Sequence, residues 1–313
     1  MTIRWLEIAM KLKEGPSDDN VIKKIIEEYK PSIVDEVVVV DDIYVMSYNL
    51  NWESMLPMAH SNLRQQCKNK DINGVNRCLY NMSQIIKGNG NSWNSPKYTH
   101  PETFDFIATQ ESTLYFGELQ NLIGDKYDVV STYITRRNKT QIHIVTFYDK
   151  TKYKNIFHKG FGTKGRPKHI ILFENKITKA LYLFINLHNE HKHGPDLQKE
   201  INDAINGIND AVFTNKKSDI KNIIVAGDFN DEGREYFNSL SVLDKKVIYN
   251  NTLPNTCCYN PTTGTGQISK IGDYVLSTMN ITEMYVPLST EWSNPSKYPA
   301  SDHLPVVAVI KQS

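Results

Sequence analysis

From Ile43 to the C-terminus the chain repeats one pattern: a short, β-rich apolar run stops at a carboxylate, a carboxamide or an imidazole. The runs are Ile43 to Tyr48, Phe104 to Ala108, Ile142 to Tyr148, Leu181 to Leu187, Asn222 to Ala226, Tyr274 to Leu276 and Val306 to Ile310. Polar and chargeable groups are costly inside a buried strand and useful at its mouth, so this recurrence predicts a site assembled where several strands end. Amphipathic helices lie between some runs. One sets Leu197, Ile201, Ile205, Ile208 and Val212 on a single face, and another does so with Val75, Leu79, Met82 and Ile86. Strands interleaved with helices predict a layered α/β domain rather than an all-β barrel.

A chain of 313 residues can bury a core of that size without disulfide help. Its 4 cysteines, Cys67, Cys78, Cys257 and Cys258, are too few for a disulfide scaffold and form no C-x-x-C knuckle, so they are expected to be buried, reduced thiols. Residues 1–42 form an expected N-terminal extension, with helical spacing from Val21 to Tyr29 stopped by Pro31; residues 43–313 are the expected catalytic domain. Charged residues Arg4, Glu7, Lys11, Lys13 and Glu14 interrupt any signal-peptide core near Met1, and no stretch is apolar for the length of a membrane span. The expectation is an intracellular protein, cytoplasmic or nuclear, that is not inserted in a membrane. Loops are expected from Lys87 to Pro101 and from Asn260 to Ser269. Abundant Asn and Lys fit an AT-rich genome, such as that of a large DNA virus or a protist.

The strand ends carry the chemistry. In Val225-Ala226-Gly227-Asp228-Phe229-Asn230 a strand delivers Asp228 and Asn230, which can orient a nucleophile and bind a phosphate oxygen. Glu111, closing Phe106-Ile107-Ala108-Thr109-Gln110-Glu111, is a hard oxygen ligand suited to Mg²⁺ or Mn²⁺. Asn49 and Asn51 alternate off the first strand and offer carboxamides. His188 follows Leu181 to Leu187, where an imidazole can stabilise a developing oxyanion. With Glu190, His191 and His193 it also invites a zinc reading, but the spacing fits no zinc motif. Asp273 and the Ser301-Asp302-His303 tripeptide place a carboxylate and an imidazole ahead of the last strand, with Asp273 able to orient His303.

In this order the six motifs resemble the endonuclease/exonuclease/phosphatase superfamily, which includes pancreatic-type deoxyribonuclease, exonuclease III-like endonucleases, tyrosyl-DNA phosphodiesterase, deadenylases, sphingomyelinases and inositol polyphosphate 5-phosphatases. The resemblance implies a four-layered α/β/β/α sandwich, two mixed β-sheets flanked by helices, with the site at one end. It implies one or two Mg²⁺ or Mn²⁺ ions held by Glu111 with Asn49 and Asp302. Asp228, Asn230, His188 and the Asp273–His303 pair would then serve a water that attacks phosphorus directly, with either Asp228 or His303 as base. Gln141 is the nearest candidate to orient His188. The deoxyribonuclease-like Arg beyond the catalytic Glu is replaced by Ser112 and Thr113, and the inositol phosphatases' Asp-Arg-Ile by Asp273-Tyr274-Val275.

A net charge of +1 supplies no global attraction for polyanions, so nucleic-acid contact must be local. Two basic stretches offer it: Arg136-Arg137-Asn138-Lys139 and Lys164-Gly165-Arg166-Pro167-Lys168, with Tyr133 or Phe161 for base stacking. Arg136, Arg137, Lys164, Arg166 and Asn51 are therefore the expected substrate-binding residues and nucleic acid the expected substrate. The alternatives are an inositol or other small or lipid-linked phosphate, for which Thr163 to Pro167 argues, and a binding module without turnover.

Overall fold

The computed structural model describes residues 41–55, 67, 74–89, 91–93, 99–136, 139–163, 166–190, 194–230, 240–248, 253–258, 270–289, 291–294 and 297–312. The expected helix at Val21 to Tyr29 and the loop from Asn260 to Ser269 lie outside these residues.

One sheet runs β12 (Ile281–Tyr285), β13 (Val306–Ile310), β1 (Ile43–Asn49), β2 (Phe106–Ser112), β4 (Gln141–Asp149), β3 (Tyr127–Thr135). The other runs β11 (Asp273–Ser277), β8 (Asn222–Asp228), β7 (Leu181–His188), β6 (Arg166–Asn175), β5 (Tyr153–Thr163), and β9 (Ser241–Val242) with β10 (Lys245–Lys246) forms a separate two-stranded antiparallel ribbon. Both large sheets are mixed: β1 and β2 are parallel, as are β7 and β8, and the other pairs are antiparallel. Parallel neighbours need a crossover, and helices supply it. The chain passes through α1 (Trp52–Met55) and α2 (Arg77–Lys87) between β1 and β2, and through α4 (Gly194–Asn206) and α5 (Ala211–Lys216) between β7 and β8. A further helix, α3 (Phe116–Ile123), follows β2.

Strand alternation divides the apolar residues between two cores. Met46, Tyr48, Ile107, Phe147 and Val307 cluster with Leu79, Met82, Ile86 and Leu119 of the helices, while Ile43, Val45, Phe106, Ala108 and Val306 cluster with the second sheet. At the centre the Phe106 ring lies 4.6 Å from Tyr153 and 5.0 Å from both Phe173 and Phe184, joining the sheets through aromatic contact. This is the expected α/β sandwich of two mixed sheets with helices. No described helix is long and apolar enough to cross a membrane.

Local chemistry explains the helix ends. Asn76 Oδ1 accepts from the Cys78 and Leu79 amides ahead of α2, and Gly88 ends that helix in the left-handed region at φ 65°. Three expectations are corrected. The helix drawn through Leu197 and Val212 is two helices broken after Asn206, so Val212 is 45% exposed and Phe213 is the buried residue of α5. Val75 precedes α2 rather than lying on it. The cysteines are not free thiols: Cys67 pairs with Cys78 and Cys257 with Cys258, because the fold brings Cys67 within 5.1 Å (Cα to Cα) of Cys78 and the other two are chain neighbours.

Candidate active site

The candidate side chains meet at one end of the sandwich, where both parallel pairs finish. Asn49 closes β1 opposite Gln110, and His188 closes β7 opposite Asp228, which on its other side faces Asp273 at the start of β11. Asp228 thus stands between an imidazole and a carboxylate in one cross-strand row. Gly227 makes this row possible, because a Cβ there would lie 2.0 Å from the Leu187 carbonyl oxygen. Glu111 enters by a different device. The β2–β4 register shifts between Thr109 and Ser112, and Glu111 takes φ 52°, a bulge that re-aims its carboxylate towards His188.

Asp228 is the hub. Its Oδ2 accepts from Asn49 Nδ2 at 2.9 Å and Asn230 Nδ2 at 3.2 Å, and its Oδ1 accepts from the Asn230 amide at 2.8 Å. His188 Nε2 sits 3.5 Å from Asp228 Oδ2 and 3.4 Å from Glu111 Oε1, close in charge terms but without hydrogen-bond alignment. His303 Nδ1 is 2.9 Å from Asp273 Oδ2, and its Nε2 is 3.9 Å from Asp228 Oδ2. Among the described residues both His188 nitrogens and Asp273 Oδ1 are buried without a hydrogen-bond partner, so polar capacity at the site is unspent.

Electrostatics distinguish the two imidazoles. Burial, followed by Arg166 and His303, holds His188 well below its ordinary value and therefore neutral. Burial acts the same way on His303, but the Asp273 carboxylate outweighs it and keeps that ring's pKa well above the usual range. Burial also raises the Glu111 carboxyl, and neighbouring Asp302 pushes in the same direction against Arg166. Asp228 is raised by burial, with His303 opposing and Asp273 adding to it.

A hard divalent cation fits this donor set. Glu111 and Asp302 are like charges whose repulsion a cation would relieve, and they offer carboxylate oxygens. Asn49 fits less fully, because its Oδ1 already accepts from the Asn51 amide at 3.0 Å. Asp228, Asp273 and His303 also bring one ligand atom each within 4.8 Å of one another, although His303 Nδ1 is committed to Asp273.

The structure thus brings together Asn49, Glu111, His188, Asp228, Asn230, Asp273 and His303, with Asp302 in electrostatic reach. Arg166 Nη1 lies 3.8 Å from Glu111 Oε1. Arg136 lies over the Trp52 ring at 5.1 Å from its centroid and is one of the charges felt by His188. Asn51 instead caps α1, its Oδ1 accepting from the Glu53 amide. Arg137, Lys164, His191 and His193 lie outside the described residues. Gln141 is not the orienting group for His188: it opens β4 opposite Thr135, and no described residue hydrogen-bonds to His188 Nδ1. Phe161 packs against the core, leaving Tyr133, 53% exposed and 5.1 Å from the His143 ring, as the available stacking surface.

Sequence reasoning overlooked the supports. Ser301 Oγ donates to the Asn49 carbonyl at 2.6 Å and accepts from the His303 amide, linking the first and last motifs. Asn189 Nδ2 donates to the Phe229 carbonyl, and the Asn189 carbonyl accepts from Asn230. Behind Glu111, Gln110 Nε2 donates to Asn186 Oδ1, and Asn186 Nδ2 donates to the Val145 carbonyl, a buried polar bridge between sheets. Ser301, Asn189, Asn186 and Gln110 all adjoin motif residues, which was the available signal.

The arrangement of the two sheets and their helices has the fold of solved endonuclease/exonuclease/phosphatase proteins. The sequence matches no protein-family model and no curated protein. Among solved structures, the endonuclease/exonuclease/phosphatase from Bacteroides vulgatus superposes with a TM-score of 0.60 at 16% identity, over 88% of this chain and 100% of that one. The Bacteroides thetaiotaomicron mannosyl-6-phosphatase gives 0.57 at 16%, over 86% and 100%. D. rerio TDP2, complexed with a single-strand DNA product, gives 0.53 at 12%, over 87% and 100%. The resemblance read from motif order is borne out at the level of the fold.

Proposed function

We propose that the protein is a divalent-metal-dependent phosphoesterase that cleaves phosphodiester bonds in nucleic acid by direct attack of water. The observation that carries this reading is the unspent His188 Nε2, held 3.4 Å from Glu111 and 3.5 Å from Asp228 and facing the His303–Asp273 pair across Asp228. A neutral imidazole in that position donates to a phosphoryl oxygen as negative charge builds there. Glu111 and Asp302, with Asn49, would hold Mg²⁺ or Mn²⁺, which supplies Lewis-acid neutralisation of phosphate charge. Asp228 orients the attacking water and takes its proton. His303, kept protonated by Asp273, adds positive charge beside the phosphoryl group. Asn230, whose side-chain amide donates to Asp228 and to the Asn189 carbonyl, fixes the base carboxylate in place, and Arg166 and Arg136 bring guanidinium charge to the substrate side. No side-chain nucleophile is required, so inversion at phosphorus follows.

Arg136 on Trp52 and the exposed Tyr133 support nucleic acid over a small phosphate, since stacked bases need planar faces beside cations. The deciding experiment is a metal-dependent activity screen over single-stranded DNA, duplex DNA, RNA, 5′-tyrosyl DNA, and sugar and inositol phosphates. Chelator-sensitive release of nucleotides or nicked DNA is expected. Phosphate release from sugar or inositol phosphates alone would reject the nuclease reading, and no cleavage together with a melting temperature indifferent to Mg²⁺ and Mn²⁺ would reject the enzyme.

A further inference from the structure

The phosphoester machinery uses no sulfur, yet one cysteine pair borders it. Cys257 forms an antiparallel bridge with His303, and the Cys258 amide donates to the Asp302 carbonyl at 3.0 Å. On the other side, a Cβ added at Gly272 would lie 3.3 Å from Cys257 Cβ and 3.5 Å from Asp228 Oδ1, so the pair leans on the backbone that leads into Asp273. The two Sγ atoms and an imidazole nitrogen of His303 all lie within 4.8 Å of one another. Cys257 is buried, whereas Cys258 reaches solvent.

We propose that Cys257 and Cys258, once reduced, form with His303 a second metal site selective for a borderline-soft divalent cation such as Zn²⁺, and that an ion there withdraws His303 from the reaction. The disulfide is the closed form of this site. Two thiolates and an imidazole prefer Zn²⁺ to Mg²⁺, whereas the carboxylate oxygens of Glu111 and Asp302 have the opposite preference. Ligands of a tetrahedral zinc lie about 3.3–3.8 Å apart, a spacing the observed cluster reaches once the sulfur–sulfur bond is open. With Nδ1 held by Asp273 at 2.9 Å, Nε2 would be the ligand nitrogen, and Asp273 would serve as the carboxylate that a metal-bound histidine normally carries behind it. Opening needs a reductant. A water-soluble phosphine supplies two electrons to the disulfide and leaves as its oxide with an oxygen from water, while the sulfurs become two thiols that lose their protons when the metal binds.

The inhibitory half of this proposal rests on the role given to His303 above; the binding half does not, and two measurements separate them. Titrating phosphine-reduced, full-length protein with Co²⁺ should produce a sulfur-to-cobalt charge-transfer absorption in the near ultraviolet. The band should be lost in the oxidised protein and in Cys257→Ser/Cys258→Ser, which keeps Cys67 and Cys78. No band in the reduced protein, or an equal band in the double variant, would overturn the site, and the oxidised wild type gives the comparison without any substitution. In the second measurement Zn²⁺ is added to Mg²⁺-supported turnover: the reduced enzyme should lose activity that the oxidised enzyme and the double variant keep. A cobalt band without this inhibition would refute the capture of His303. A cobalt band with no turnover by any form would reject the phosphoesterase and leave the metal site standing.

Discussion

The Asp273 carboxylate sets the charge state of His303 through the 2.9 Å contact between Oδ2 and Nδ1. Burial alone would drive the ring neutral; the adjacent carboxylate reverses that and holds its pKa well above 6.5. A function that needs the imidazolium is therefore present below the raised pKa and lost as pH rises through it. Asp273→Asn keeps the shape and removes the charge, so the alkaline limb of kcat/KM should move to lower pH and turnover should fall by about 10²–10⁴-fold. An unmoved limb would show that His303 does not titrate in catalysis. Glu111 answers to a different readout. Glu111→Gln removes the carboxylate that faces Asp302 and His188, and the Mg²⁺ concentration for half-maximal activity should rise by at least the roughly 10–100-fold that an outer-shell partner is worth. A metal requirement equal to wild type would place the cation elsewhere.

The β7–β8 pair carries the site's tightest backbone constraint, because Gly227 and Leu187 approach too closely for any side chain. Gly227→Ala must separate the strands beside His188 and Asp228, costing about 1–3 kcal/mol as overpacking does. Activity should fall further than stability explains, since the widening falls between two groups only 3.5 Å apart. Urea midpoints compared with turnover check this, and a variant with normal kcat would show that strand spacing does not position His188. The same elements show what a sequence discloses. Strands buried on both faces, such as Leu181–His188 and Asn222–Asp228, read as continuous apolar runs, and the residues that stop them are those that meet in space. Tyr127–Thr135 alternates with exposed positions, Tyr153–Thr163 carries Lys, Asn, His and Gly, and Ile281–Tyr285 exposes Thr282 and Glu283, so none announces itself as an apolar run. The bulge at Glu111 and the cap made by Asn51 are backbone events without a spacing signature, and the Cys67–Cys78 pairing depends on an approach that local sequence does not encode.

At the scale of the whole sandwich the two sheets are tied by buried polar contacts as well as aromatic rings, and this gives stability a pH dependence. His169 on β6 reaches across to β4, its Nε2 2.8 Å from Thr146 Oγ1, and burial pushes its pKa down to about 3. The unfolded chain takes up this proton near pH 6.5 and the folded chain does not until about 3, so the contribution of His169 to stability is complete above the first value and is lost as pH falls towards the second. The slope for one such group approaches about 1.4 kcal/mol per pH unit within that window. His188, also held neutral by burial, acts in the same direction. Glu111 and Asp228 act oppositely: their raised folded values mean that the native state binds protons more readily, and acidification through that range favours folding. Substituting His169→Gln keeps a group able to hydrogen-bond Thr146 and removes the titration. Urea midpoints measured from pH 7 to pH 4 should therefore fall less steeply in the variant than in the wild type, whatever its stability at neutral pH. Parallel curves would mean that His169 takes up its proton alike in the folded and the unfolded chain, and that its burial between the sheets gives stability no pH dependence.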